Sequence, residues 1–152
     1  YGVESIIRIG SAGGLDVRTR LRDLVIAQGA CTDSNFGAMY HLPGTFAPIA
    51  TYDLLATAVD VAAEQGVHAL VGNVLSSDVF YSDQPHVDRW IKMGVLAVEM
   101  EASALYMNAA RAGKKALVLL TISDHVLTGE ELSAEERRTS FTNMMSVALS
   151  IV

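Results

Sequence analysis

The chain has 152 residues, 51% of them hydrophobic and 18% charged. That is enough for one domain with a real core, residues 1–152 throughout, and too apolar for a disordered segment. The formal net charge is -6 and no basic stripe is present; this argues against nucleic-acid binding by phosphate neutralisation but leaves a small anion within reach of one or two local arginines.

The chain opens on Tyr1, not methionine, and runs almost at once into Ile6-Ile7, which suggests a further segment upstream. Ser5 to Ile9 reads as a strand, followed by a Gly-rich turn, Gly10-Ser11-Ala12-Gly13-Gly14. Asp23 to Ala30 reads as a second strand. Thr32 to Pro48, rich in Gly, Pro, Asn and Ser, reads as a long loop, a length often tied to function. Tyr52 to Gln65 has apolar residues at helical spacing, with Thr51 as N-cap and Gly66 as stop. Val67 to Leu75 is a third strand, Ser76 to Pro85 a loop, and His86 to Met93 a short helix ended by Gly94. Val95 to Val98 is a fourth strand, Glu101 to Ala112 a helix ended by Gly113, and Lys115 to Ser123 a fifth strand. A final helix starts near Ser133, where Ser133 and Glu136 have capping-box spacing. Its apolar face is Phe141, Met144, Met145, Ala148 and Leu149. Alternating strands and helices predict an α/β fold with a largely parallel sheet. No apolar run reaches about 18 residues, so no membrane span is expected.

Four stretches could carry chemistry. Gly10 to Gly14 follows a strand, and Arg8 lies two residues before it. Glycines let a backbone approach an anion and Arg8 supplies charge, although a tight turn beside a surface arginine is the plainer reading. Val98-Glu99-Met100-Glu101 sits where a strand becomes a helix. Its acids either complement the helix dipole or accept a pair of sugar hydroxyls, with Met100 as an apolar floor. Ser123-Asp124-His125 ends the most apolar strand, where α/β sheets build their sites. Asp124 there is either a proton carrier or a turn acid. Phe80-Tyr81 either stacks on a flat ring or fills the core. The single cysteine, Cys31, permits no internal disulfide, fits a reducing cytoplasm and reads as a small buried hydrophobe. Histidines 41, 68, 86 and 125 have no metal-ligand spacing, so no metal is expected.

Taken together, I-I-R-I-G-S-A-G-G (Ile6 to Gly14), D-L-V-I-A-Q-G-A-C-T-D-S (Asp23 to Ser34), V-G-N-V-L-S-S-D-V-F-Y (Val71 to Tyr81), G-V-L-A-V-E-M-E-A (Gly94 to Ala102) and the S-D-H stretch followed by A-E-E-R-R-T-S-F (Ala134 to Phe141) resemble the bacterial, hexameric purine nucleoside phosphorylases. The resemblance runs in order along nearly the whole chain. It implies a three-layer α/β fold with a mixed, largely parallel sheet, and reversible phosphorolysis of purine nucleosides with inorganic phosphate as co-substrate and no cofactor. It further implies a homohexamer built from dimers, in the cytoplasm. By the same resemblance Asp124 is the general acid at purine N7 and Arg137 assists it. Arg8 and Ser11 contact phosphate. Glu99, Met100 and Glu101 hold the ribose. Phe80, Val98, Ser123, Ala12 and Gly13 surround the base.

Members of that family carry a further N-terminal stretch with the first strands and a phosphate loop. The expectation is therefore an N-terminally incomplete domain, with a partial phosphate site, an exposed sheet edge and uncovered apolar surface. Two alternatives stay open: a nucleosidase of the same superfamily that uses water, and a catalytically silent nucleoside-binding module.

Overall fold

The most apolar run, residues 116–122, becomes a strand covered on both faces. In the computed structural model, which describes residues 2–79, 84–139 and 141–151, β1 spans Ser5–Gly14, β2 Leu24–Thr32, β3 Ala69–Ser76, β4 Ala97–Glu99 and β5 Lys115–His125. The helices are α1 (Tyr52–Glu64), α2 (Gln84–Lys92), α3 (Ala102–Ala112), α4 (Ala134–Thr139) and α5 (Thr142–Ser150). Along β5, Ala116, Val118, Leu120 and Ile122 pack with Tyr106 and Ala109 of α3, while Leu117 and Leu119 pack with Ala58 and Ala62 of α1 and Met144 and Val147 of α5. The period of two thus sorts one strand into two cores, and the layers are α3, sheet, and α1 with α5. A third cluster, Leu15, Leu75, Val87 and Val95, lies under α2. No helix among the described residues is long and apolar enough to cross a membrane.

The strands run in the order β1-β4-β3-β2-β5, and β5 returns to β1, so the sheet closes into a barrel. The β1·β5, β2·β3 and β3·β4 pairs are parallel; β1·β4 and β2·β5 are antiparallel. Closure rests on two β1·β4 pairs, Gly13 with Val98 and Gly14 with Ala97. Over Ser5–Ala12, β1 has β5 as its only described strand neighbour, and Ile6 and Ile9 are exposed there. This stretch of β1 is an exposed apolar edge.

Several expectations need correction. Gly10 to Gly14 is not a turn but the second half of β1. None of its glycines has a positive φ among the described residues; they serve close approach instead of a turn. Thr51 sits at the N-cap of α1 but does not cap it. Its hydroxyl accepts from Ala116 N–H at 3.0 Å, which ties the helix start to β5. The long loop contains a short 3-10 helix, Phe36–Tyr40. The final helix is two helices, with Phe141 at the N-cap of α5. The capping box is present: Ser133 N–H donates to Glu136 Oε2 at 2.9 Å, and Glu136 N–H to Ser133 Oγ at 3.2 Å. The Ser133 backbone bond holds the Glu136 carboxyl below its usual range. Its support is therefore present above the ordinary carboxyl pKa and fades as pH falls through the lowered value.

Tyr106 was not anticipated. The antiparallel β2·β5 ladder ends at Ile26 with Leu119. One residue further, the Tyr106 hydroxyl donates to Ala27 O at 2.6 Å and accepts from Val118 N–H at 3.0 Å. A side chain from α3 takes the place of the next ladder bond. Burial pushes its hydroxyl pKa well up, so it stays a donor. Tyr106→Phe keeps the ring and strands both backbone groups. Urea unfolding should show a loss of about 1–3 kcal/mol; an unchanged midpoint would show that the bridge is dispensable.

Candidate functional site

The C-terminal ends of β1, β3, β4 and β5 open onto one cleft of about 400 Å³. Arg8, Ser11, Ala12, Gly13, Val98, Glu99, Met100, Glu101, Ser123, Asp124 and Arg137 all line it. Phe80 lies outside the described residues. Leu15, Leu75, Val79, Val87 and Val126 also line the cleft and were missed, because an apolar residue at a strand end looks like core. A second cavity of about 320 Å³ lies between Tyr40, Leu42, Phe46, Met107, Ala110 and Arg111. It contains no acid and none of the predicted residues.

The acid end is built by a bulge. Ala12 pairs with Ile122 but Gly13 pairs with Asp124, which leaves Ser123 as the extra residue on β5. Bulges re-aim the side chains beside them. Ser123 Oγ donates to Asp124 Oδ1 at 2.7 Å. A Cβ on Gly13 would lie 2.9 Å from Asp124 Oδ2, so the carboxylate sits where a side chain at this position would push it aside. His125 turns the other way and is buried. Its Nδ1 accepts from Leu127 N–H at 3.3 Å, and its Nε2 lies 3.2 Å from both Thr19 Oγ1 and Asp16 O. It is a structural histidine.

After β5 the chain folds back. His125 N–H donates to Glu130 O and Leu132 N–H to Ser123 O, both at 2.8 Å. This return brings α4 and Arg137 to the cleft. The Arg137 guanidinium is engaged there by Leu132 O at 3.0 Å and Glu131 Oε2 at 3.4 Å. The implied Arg137–Asp124 partnership is therefore not made in this structure, although both residues face one cleft.

The other end is organised by Glu99, whose side chain is 1% exposed. Its carboxylate accepts from Ser76 Oγ at 2.5 Å, Glu101 N–H at 2.9 Å and Ala102 N–H at 3.0 Å. Those amides are the free donors at the start of α3, where negative charge is favoured. Glu99 is thus a buried anchor, while Glu101 at the helix N-cap and Met100 beside it are exposed to the cleft. Arg8 reaches across from β1. One terminal nitrogen donates to Glu101, and the other lies 3.5 Å from Glu99 Oε2. A Cβ on Gly10 would come 2.6 Å from that second nitrogen, so the guanidinium lies folded over Gly10. The same nitrogen is buried with no hydrogen-bond partner among the described residues. Carboxylates outnumber guanidiniums in the cleft.

A cleft at the strand ends of a three-layer α/β sheet, with an acid, a paired arginine and an apolar wall, defines a small-molecule site. A family model described as the phosphorylase superfamily matches residues 1–152, and the chain belongs to that superfamily. It is 49% identical over 149 residues to a DeoD-type purine nucleoside phosphorylase of a Geobacillus species, covering 98% of this chain and 63% of that protein. It is 51% identical over 153 residues to the DeoD-type enzyme of Clostridium beijerinckii, covering 100% and 65%. The corresponding Bacillus cereus protein is 48% identical over 150 residues, covering 98% and 64%. The chain spans just under two thirds of the length of these relatives.

Glu99→Gln keeps the size but removes the charge and one acceptor. It should lower unfolding stability by about 1.5–3 kcal/mol, the worth of hydrogen bonds to a charged group. Urea unfolding measures this, and native stability would show that the start of α3 is held without the carboxylate.

Proposed function

We propose that the protein catalyses reversible phosphorolysis of purine ribonucleosides and deoxyribonucleosides, with inorganic phosphate as co-substrate and no cofactor. The observation that carries this reading is a single cleft with Asp124 at one end and Arg8 with Glu101 at the other. A phosphate oxygen attacks the anomeric carbon, and the C–N bond to the base breaks. The bonding electrons pass to the purine, and Asp124 delivers a proton to N7. The products are the free base and a pentose 1-phosphate. General acid catalysis of this kind contributes roughly 10²–10⁴-fold.

In this reading Arg8 and Ser11 take the phosphate, Glu101 the ribose hydroxyls with Met100 against the sugar, and Glu99 holds Glu101 in place. Ala12, Gly13, Val98, Ser123 and Phe80 surround the base. Arg137 assists Asp124 after exchanging its Glu131 contact. The excess of carboxylates disfavours a dianion, so strong phosphate binding requires cations beyond Arg8. The relatives' names support purine nucleosides as the substrate class. The family resemblance supports a cytoplasmic homohexamer built from dimers, which light scattering of the full-length protein tests.

Full-length protein given inosine or adenosine should release base only when phosphate is present. Release at the same rate in phosphate-free buffer would assign hydrolysis instead, and tight binding without turnover a silent module. Asp124→Ala should lower kcat by about 10²–10⁴-fold.

The Arg8–Glu101 pair adds a sharper expectation. Glu101→Gln frees Arg8, so the nucleoside KM should rise while the phosphate KM falls. An equal rise in both would show that the two substrates do not compete with this pair.

A further inference from the structure

Beside the cleft, one carboxylate with no role so far collects donors from two other parts of the chain. Asp33 Oδ2 accepts from Ser77 Oγ at 2.9 Å and faces His86 Nε2 at 3.1 Å; Asp33 Oδ1 accepts from Asp78 N–H at 3.2 Å. Asp33 directly follows β2, Ser77 and Asp78 follow β3, and His86 is in the first turn of α2. The segments that leave β2 and β3 and the first turn of α2 are tied at one point.

What those segments carry gives the tie its meaning. The apolar wall of the cleft includes Leu75, Val98, Val79 and Val87. Leu75 and Val98 are held by the β3·β4 ladder, which ends at Ser76 with Glu99. Val79 and Val87 lie beyond it. Val79 N–H donates to Ser77 Oγ at 3.2 Å, and Ser77 is the hydroxyl that Asp33 holds. Val87 is the neighbour of His86 and is buried against Leu15, Leu75 and Val95. The adjacent serines divide the work: Ser76 fixes Glu99 at the polar end, and Ser77 joins Asp33 at the apolar wall.

We infer that Asp33 is a positioning residue that holds Val79 and Val87 in the cleft wall and thereby sets the affinity for the nucleoside, not for phosphate. The substrate class rests on the function proposed above. An apolar wall displaced by a fraction of an ångström loses contact with a flat ring, whereas the polar groups around Arg8 are anchored through Glu99 and remain in place. The His86 ring gives the arrangement a reporter. Its Nε2 also lies 3.3 Å from Nε1 of Trp90, the sole tryptophan of the chain. A protonated Nε2 donates to Asp33; a bare one accepts from Trp90. Without Asp33, His86 passes to the indole.

The test uses the full-length protein and its Asp33→Ala, Asp33→Asn and Ser77→Ala variants, with inosine and inorganic phosphate as probes. Asp33→Ala should raise the inosine KM roughly tenfold, equivalent to one lost hydrogen bond. Its kcat and phosphate KM should stay near wild type. Amide exchange at Val79 should quicken and Trp90 emission should shift. Asp33→Asn, which keeps one acceptor oxygen, should fall between, and Ser77→Ala should reproduce the exchange effect if Asp33→Ala fails to fold. A native inosine KM in folded Asp33 variants overturns the positioning role alone, as does an equal rise in both KM values. Absence of inosine turnover by the wild-type protein overturns the proposed function and the substrate named here with it.

Discussion

The Glu99 carboxylate is the constraint on which the site depends. A buried charge is costly unless fully partnered, and this one is partnered by a serine hydroxyl, the free amides at the start of α3 and an arginine from another strand. Each partner is held in return. Ser76 Oγ accepts from Ser103 N–H at 2.9 Å, so β3 is locked to α3. The α3 axis then sets where Tyr106 meets the β2·β5 junction, and the N-cap sets where Glu101 projects. The charge that organises the Glu101 end of the cleft thus also fixes the helix that completes the sheet.

The rest of the geometry comes from departures from regular strand structure. The bulge at Ser123 sits in the longest β-ladder, at the point where the strand stops being core and becomes the rim of a cleft. A second register shift, between Ala27 and Gly29, falls in β2 just beyond the Tyr106 bridge. Both add local twist, which a five-stranded sheet needs to close. Closure and site construction are therefore the same act, since the two β1·β4 pairs that shut the barrel involve Gly13 and Val98, both in the cleft.

Much of this was legible in the sequence, for identifiable reasons. β5 announced itself because a strand covered on both faces is apolar at most positions, as residues 116–120 are. The Ser133–Glu136 capping box was readable because it depends on residues three apart. Helix ends at Gly94 and Gly113 were readable because both adopt a positive φ. What escaped were contacts between segments distant in sequence. Nothing near Thr51 shows that its hydroxyl serves Ala116, and nothing near Tyr106 shows that it completes a ladder. The Gly10–Gly14 stretch misled because glycine serves both turns and close approach, and only the neighbouring strand decides which. Arg137 lines the cleft with Asp124, but its partners, Leu132 and Glu131, follow from the chain's return after β5, which has no strong local signature.

The missing side chain of Gly13 has a consequence for how this site can vary over generations. Every substitution at that position adds at least a β-carbon, and every β-carbon meets the Asp124 carboxylate or forces it away. The acid is thus specified twice: once by the residue that bears it, and once by an absent atom on a different strand. A side chain at Gly13 therefore displaces the Asp124 carboxylate from its present place, so the position of the acid depends on a residue of the neighbouring strand.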